Sequence, residues 1–154
     1  MLTPKVKFFF IVLTMTFWLA GAWSEAAEYT QDEIVAACLI LEAGGEENPG
    51  MQAVLNVIKN RSSPNKSMAQ VVLRKWQFSC FNAHTVEGKP LAPLLDKAKS
   101  HIKWKRALDL VQNPPQDVTG GADHYFADYI KPPKWAKDMK FTVKIGRHLF
   151  YRSR

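Results

Sequence analysis

Thr30–Arg61, TQDEIVAACLILEAGGEENPGMQAVLNVIKNR, is the stretch whose reading decides the fold. Thr30 with Glu33 three residues on is a capping box, the sequence signature of a helix start. Ile34, Cys38 and Leu41 follow at helical spacing. Gly44-Gly45 stops that helix, since glycine takes the backbone conformations that end helices. Asn48-Pro49 starts a second helix, with Pro49 expected at its first position, where a missing N–H costs nothing. Met51, Leu55 and Ile58 form its buried stripe, and Asn60-Arg61 closes it. Two helices joined by an acidic, glycine-bearing turn make this end of the chain helical.

Working outward toward the C-terminus, Ser62-Ser63-Pro64-Asn65 is loop, and Ser67-Met68-Ala69-Gln70 is a second capping box that opens a short helix to about Arg74. Residues 75–92 show no clear period, and Gly88, Pro90 and Pro93 mark loop. A long helix is expected from Pro93 to Gln112, with Leu94, Ala98, Ile102, Leu108 and Val111 on its apolar face, ended by Asn113-Pro114-Pro115. After Gly120-Gly121 the pattern changes. Ala122–Asp128 and Phe141–Arg152 read as strands, the second alternating Phe141, Val143, Ile145, with Gly146 expected to be a bulge. Lys131-Pro132-Pro133-Lys134-Trp135 between them is an irregular loop. There is no internal repeat. The expected class is α+β, mainly helical with a small C-terminal antiparallel β element.

Working outward toward the N-terminus, Met1–Lys7 carries Lys5 and Lys7 and no acid, residues 8–23 are an uncharged and mostly apolar run, and small residues follow at Ser24, Ala26 and Ala27. That order reads as an export signal over residues 1–26, leaving a domain over 27–154. A run of this length is short for a spanning helix, which needs about 20 residues. A retained signal anchor is the competing reading, and the only expected membrane association. The whole chain has 154 residues, 21 Lys plus Arg against 14 Asp plus Glu, and a formal charge of +7. Removing Lys5, Lys7 and Glu25 with the signal leaves 19 basic and 13 acidic residues, net +6. The basic balance therefore belongs to the domain. An exported basic domain meets anionic envelope polymers or lipid surfaces, and no nucleic-acid motif is present. The length leaves room for one domain, expected to act as a monomer in the periplasm or cell envelope. Export permits a disulfide between Cys38 and Cys80, but the spacing does not decide between a bridge and two buried thiols.

The chemistry is expected in Leu41-Glu42-Ala43-Gly44-Gly45-Glu46-Glu47. Glu42 sits in the last turn of the first helix, the negative end of the helix dipole, which disfavours an ionised carboxylate. A carboxyl group able to hold its proton is what glycosidic-bond cleavage asks of a general acid. The following glycines let a bulky polymer approach the backbone. From the residues alone, three solvated surface acids at a helix end are an equally available description.

Four blocks then carry a resemblance. They are Glu42-Ala43-x-Gly45-Glu46 with Gly50, Ala53-Val54 and Val57-Ile58-x-Asn60-Arg61; Trp76-Gln77-Phe78-Ser79; Gly120-Gly121-Ala122-Asp123-His124-Tyr125-Phe126; and Pro133-x-Trp135-Ala136 followed by Ile145-Gly146-x-His148-x-Phe150-Tyr151. In this order and spacing the chain resembles the SleB-type cell wall hydrolases from about Asp32 to Arg152. It departs from the family pattern at Gly44, where Arg is frequent, which removes a cation near the acid.

The resemblance implies a lysozyme- or lytic-transglycosylase-like core that acts on peptidoglycan, at the β-1,4 bond from N-acetylmuramic acid to N-acetylglucosamine, with no cofactor and no metal. Glu42 matches the family's catalytic glutamate. A lytic transglycosylase needs one essential carboxylate, whereas hydrolysis needs a second carboxylate or a positioned water. Glu46 is the nearest second carboxylate, and a capping or structural role for it is equally open. Gln77, Ser79, His124, Tyr125 and Trp135 are the expected substrate-binding residues, through amide hydrogen bonds and aromatic faces. Asn60-Arg61 is expected to tie the second helix to the core, and His148 to be structural. The competing enzyme reading is a Cys–His peptidase or amidase, with Cys80 as nucleophile and His84, His124 or His148 as base. A zinc site is less supported, because His84, His101, His124 and His148 are scattered without ligand spacing. The non-enzymatic reading is a peptidoglycan-binding module.

Overall fold

The computed structural model of the chain describes residues 29–46 and 49–154. The export segment expected over residues 1–26 lies outside them. Both capping boxes form. Thr30 Oγ1 accepts from the Glu33 N–H at 3.2 Å while Glu33 Oε2 accepts from the Thr30 N–H at 2.8 Å, opening α1 (Gln31–Ala43). Val35 to Ile40 and Ala43 are all buried, so α1 is wrapped on most sides, as a helix apolar around its circumference must be. α2 (Gly50–Arg61), α3 (Met68–Val72), α5 (Ala92–Lys99) and α6 (Trp104–Gln112) pack around it. Pro49 precedes α2 as its cap instead of starting it.

α2 has two buried faces. Met51, Val54, Leu55 and Ile58 join the main core around α1. Ala53 and Val57 face the other way and pack with Ala122, Ile145 and Phe150. The helix thus forms the partition between helical core and sheet. Ser67 and Gln70 open α3 reciprocally, but α3 ends at Val72 and not near Arg74. Residues 74–77 are instead a turn closed by the Gln77 N–H on the Arg74 carbonyl at 3.2 Å. In this turn Trp76 has φ +64°, a conformation that costs a bulky L-residue about 1–3 kcal/mol. A 3₁₀ turn (Ser79–Phe81) and α4 (Asn82–Thr85) follow where the sequence shows no period. Both are too short to show one, and buried Phe78 and Phe81 anchor them.

The helix expected from Pro93 to Gln112 is two helices. Between α5 and α6 the hydrogen bonds tighten to i→i+3, from the His101 N–H to Ala98 O at 3.1 Å and from the Trp104 N–H to His101 O at 2.9 Å. His101 Nδ1 accepts from the Lys103 N–H at 3.1 Å, a local side-chain bond that competes with helix. The break throws Ile102, expected on the apolar face, out to 95% exposure. It also aims Lys103 Nζ at the Glu46 carbonyl, 2.6 Å away.

The strand expected from Phe141 to Arg152 is a hairpin, β2 (Lys140–Ile145) and β3 (His148–Arg152). Ile145 pairs with His148, so Gly146-Arg147 is a two-residue turn. Gly146 at φ +57° takes its first position, where such turns require glycine. Gly146 is therefore a turn residue and not a bulge; the register irregularity lies at Thr142, between Phe141 and Val143. β1 (His124–Ala127) is shorter than expected and pairs antiparallel with β3, giving the order β1-β3-β2. The whole is the expected α+β arrangement, a helical core with a small antiparallel sheet at its C-terminal end. No helix among the described residues is long and apolar enough to cross a membrane.

Candidate active site

Glu42 projects from the last turn of α1, half-buried, just before Gly44-Gly45. Tyr125 on β1 reaches it across the helix–sheet junction, its hydroxyl donating to Glu42 Oε2 at 2.7 Å. Burial first, and then the Glu42 carboxylate, push the Tyr125 phenol well above its ordinary value, so it stays a neutral donor. The ring is held by Phe150 at 5.5 Å between centroids and edge-on by His148 at 5.0 Å. One carboxylate oxygen is thereby fixed.

Two residues not expected at Glu42 are close enough to interact with it electrostatically. Cys80, from the 3₁₀ turn, lies close enough to Glu42 and Cys38 for both to shift its thiol. Cys38 lowers the Cys80 thiol, but burial and the Glu42 charge outweigh it, and the net position is above the ordinary value. A nucleophilic cysteine needs the opposite surroundings, a cation or helix N-terminus that favours thiolate. His84, His124 and His148 are also engaged elsewhere, with the Lys89 carbonyl, Asp123 and Glu46. The geometry therefore disfavours the Cys–His reading. Cys38 and Cys80 are free thiols in contact. The second residue is Arg61, at the end of α2. Its Nε donates to the Asp123 carbonyl at 2.6 Å and its guanidinium lies 5.4 Å over the Phe78 ring. Burial lowers it somewhat, Tyr125, Asp123 and Glu42 act in the other direction, and it remains charged. Arg61 thus brings to the Glu42 neighbourhood the cation that Gly44 lacks. With Asn60, which donates to the Ala122 carbonyl at 2.9 Å, it ties α2 to the residues that lead into β1.

Glu46 is turned to a different partner. Its Oε1 lies 3.0 Å from His148 Nδ1, both side chains largely buried, though the two are not aligned as a hydrogen bond. Its carboxylate is packed against Gly50 and Gly146, where an added Cβ would collide with Oε2. The contacts run from Glu46 through His148 and Tyr125 to Glu42, which gives Glu46 the surroundings of a support. Gln77 is half-buried and Ser79 exposed, flanking buried Phe78 on the segment that delivers Cys80 to Glu42. Side chains alternate along a strand, so His124 points away from the face that carries Tyr125. His124 and Trp135 lie together, ring centroids 5.1 Å apart, with Phe126 and Tyr151 on the outer face of the sheet. The structure does not bring them to Glu42. Among the described residues no three His, Cys, Asp or Glu side chains are grouped as a metal site.

A half-buried carboxylate that accepts from a neutral phenol is an acid–base arrangement, and a helical core with a terminal antiparallel sheet carries it. The sequence model of the cell wall hydrolase family matches residues 45–151, and the chain belongs to that family of wall-cleaving enzymes. It is similar to the catalytic domain of the germination-specific lytic transglycosylase SleB from Bacillus anthracis, with 26% identity, TM-score 0.58, and 82% of this chain and 98% of that one covered. It is also similar to the catalytic domain of the Bacillus cereus SleB protein, with 26% identity, TM-score 0.54, and coverage of 86% and 99%. No curated protein matches the chain.

Proposed function

We propose that the protein is a peptidoglycan lytic transglycosylase that cleaves the β-1,4 bond from N-acetylmuramic acid to N-acetylglucosamine, with Glu42 as its acid and then its base. The observation that carries this reading is the 2.7 Å bond from Tyr125 to Glu42 Oε2. The phenol donates to Oε2, which leaves Oε1 to carry the transferable proton. Oε1 gives that proton to the glycosidic oxygen as the bond to the muramic C1 breaks. The sugar's own N-acetyl oxygen bonds to C1. The Glu42 carboxylate then takes the proton of the C6 hydroxyl as O6 attacks C1 and displaces the acetamido oxygen, leaving a 1,6-anhydromuramoyl end. One carboxylate suffices for this route, and the engagement of Glu46 by His148 supports it over hydrolysis with a paired carboxylate. Gln77 and Ser79 bond acetamido groups of the strand. Residues 1–26 direct export, and the domain over 27–154 works as a monomer in the cell envelope.

The test is mass spectrometry of fragments released from purified peptidoglycan. Anhydromuramoyl ends are expected with the wild type. Loss of a general acid–base group costs roughly 10²–10⁴-fold in rate, so Glu42→Gln is expected to release almost nothing while melting normally. Reducing muramic ends mean hydrolysis instead. Full activity of Glu42→Gln sinks the assignment, and peptide-stem products would restore the Cys80 reading.

A further inference from the structure

We propose that Trp76 is a stacking platform for a sugar of the glycan strand, with Arg74 and Lys75 beside it for the strand's anionic groups; this rests on the glycan reading above. The first observation is backbone conformation. Trp76 occupies the third position of the Arg74–Gln77 turn at φ +64° and is the one non-glycine residue with positive φ among those described. Glycine is the residue that suits this position. A tryptophan there costs free energy, and a strained residue persists where it serves a purpose beyond the fold.

The second observation is that packing does not offset this cost. Trp76 is 71% exposed, and among the described residues no aromatic ring or cation lies against it. The other strongly exposed aromatics are covered in part. Arg147 sits 4.9 Å over the Tyr129 ring, and Phe141 abuts Tyr151. Trp76 presents an open indole face. Sugar rings carry flat arrays of C–H groups that pack against such faces, and the ring quadrupole favours the positive edges they present.

The third observation is location. Trp76 is four residues before Cys80, whose thiol feels the Glu42 carboxylate. Even a fully extended chain keeps those two Cα atoms within about 14 Å. A strand seated at Glu42 therefore has the turn within reach. Arg74 and Lys75 are both exposed and, among the described residues, neither is paired with an acid, which suits the carboxylates of a wall polymer better than an uncharged chitin-like chain.

Glycine at this position relieves the strain and removes the platform, so Trp76→Gly separates fold from function. The experiment compares wild type, Trp76→Gly and Trp76→Phe for binding to purified sacculi by pelleting, for KM and kcat of fragment release, and for melting temperature. An aromatic contact of this kind translates to roughly three- to tenfold in affinity. Trp76→Gly is expected to bind that much more weakly, with KM raised and kcat little changed, and to melt at the same or a higher temperature. Trp76→Phe keeps an aromatic face and should retain most binding. Wild-type binding by Trp76→Gly overturns the proposal. So does a lower melting temperature in parallel with lost binding, which would make the indole structural. A wild type that binds through Trp76 but releases no glycan fragment supports the platform while sinking the glycosidase reading.

Discussion

Tyr125 Oη donates to Glu42 Oε2 across 2.7 Å, joining residues 83 positions apart in the chain. This bond fixes the rotamer of the proposed acid and selects the oxygen that carries its proton. Tyr125→Phe removes the donor and keeps the ring that packs on Phe150 and His148. A hydrogen bond to a charged group contributes about 1.5–3 kcal/mol, so kcat for fragment release should fall roughly ten- to hundredfold. The melting temperature should move little. A Tyr125→Phe enzyme with wild-type kcat would show that Glu42 is positioned by other means.

Glu46 and Glu42 are separated by role. Glu46 has His148 3.0 Å from Oε1 and its Oε2 buried without a partner, so its substitution is felt first by the fold. Glu46→Gln should cost about 1–3 kcal/mol of stability, the penalty for a buried polar group left poorly met. It should retain at least a tenth of the wild-type rate. Thermal melting and fragment release, run in parallel with Glu42→Gln, distinguish the two glutamates. Loss of all activity at unchanged stability would restore Glu46 as a second catalytic carboxylate.

Two glycines isolate the same packing from backbone strain. Gly146 at φ +57° and Gly88 at φ +71° share a conformation that side chains resist. A Cβ on Gly88 meets open space, whereas one on Gly146 meets the Glu46 carboxylate. Gly88→Ala should lose only the conformational part, about 1–3 kcal/mol. Gly146→Ala should lose that and more, measured by denaturant unfolding. Equal losses would mean that the Glu46 side chain yields freely.

What is legible in the sequence is local. The starts of α1 and α3 can be read because each capping box lies within four consecutive residues, Thr30 to Glu33 and Ser67 to Gln70. The break between α5 and α6 is only half legible, because the His101 bond to the Lys103 N–H is local whereas Lys103 reaching the Glu46 carbonyl joins segments far apart in the chain. Gly146 is ambiguous for a physical reason: bulge and tight turn both favour a glycine at positive φ, and only the pairing of Ile145 with His148 decides. Glu42 stands out as an acid at a helix end, but its partners come from β1, the 3₁₀ turn and α2. The alternation of His124 and Tyr125 along one strand does hold a usable signal. Adjacent positions on a strand face opposite ways, so the order of the two residues alone assigns them to opposite faces of the sheet.

Asp117 makes the acid stability of the sheet entrance testable. Its Oδ1 accepts from the Thr119 N–H and hydroxyl, both at 2.6 Å, and its Oδ2 from Asn60 and the Gly121 N–H, both at 3.1 Å. Burial raises the carboxyl, but the bonds from Thr119, Asn60 and Gly121 outweigh it, and the net position is below the usual carboxylate value. Asp123 is lowered likewise, its burial outweighed by His124 and Ser153. A carboxylate lowered in the folded state stabilises the fold fully above its unfolded value of about 3.9, and that stability is lost as pH falls through the lower folded value. The melting temperature should therefore hold steady from neutral pH to about 5 and drop below about 4. Asp117→Asn cannot present four acceptor sites. It should melt lower at neutral pH and show a shallower acid decline, read as melting temperature against pH for the two proteins. Parallel acid limbs would place the proton-linked stability on carboxylates other than Asp117.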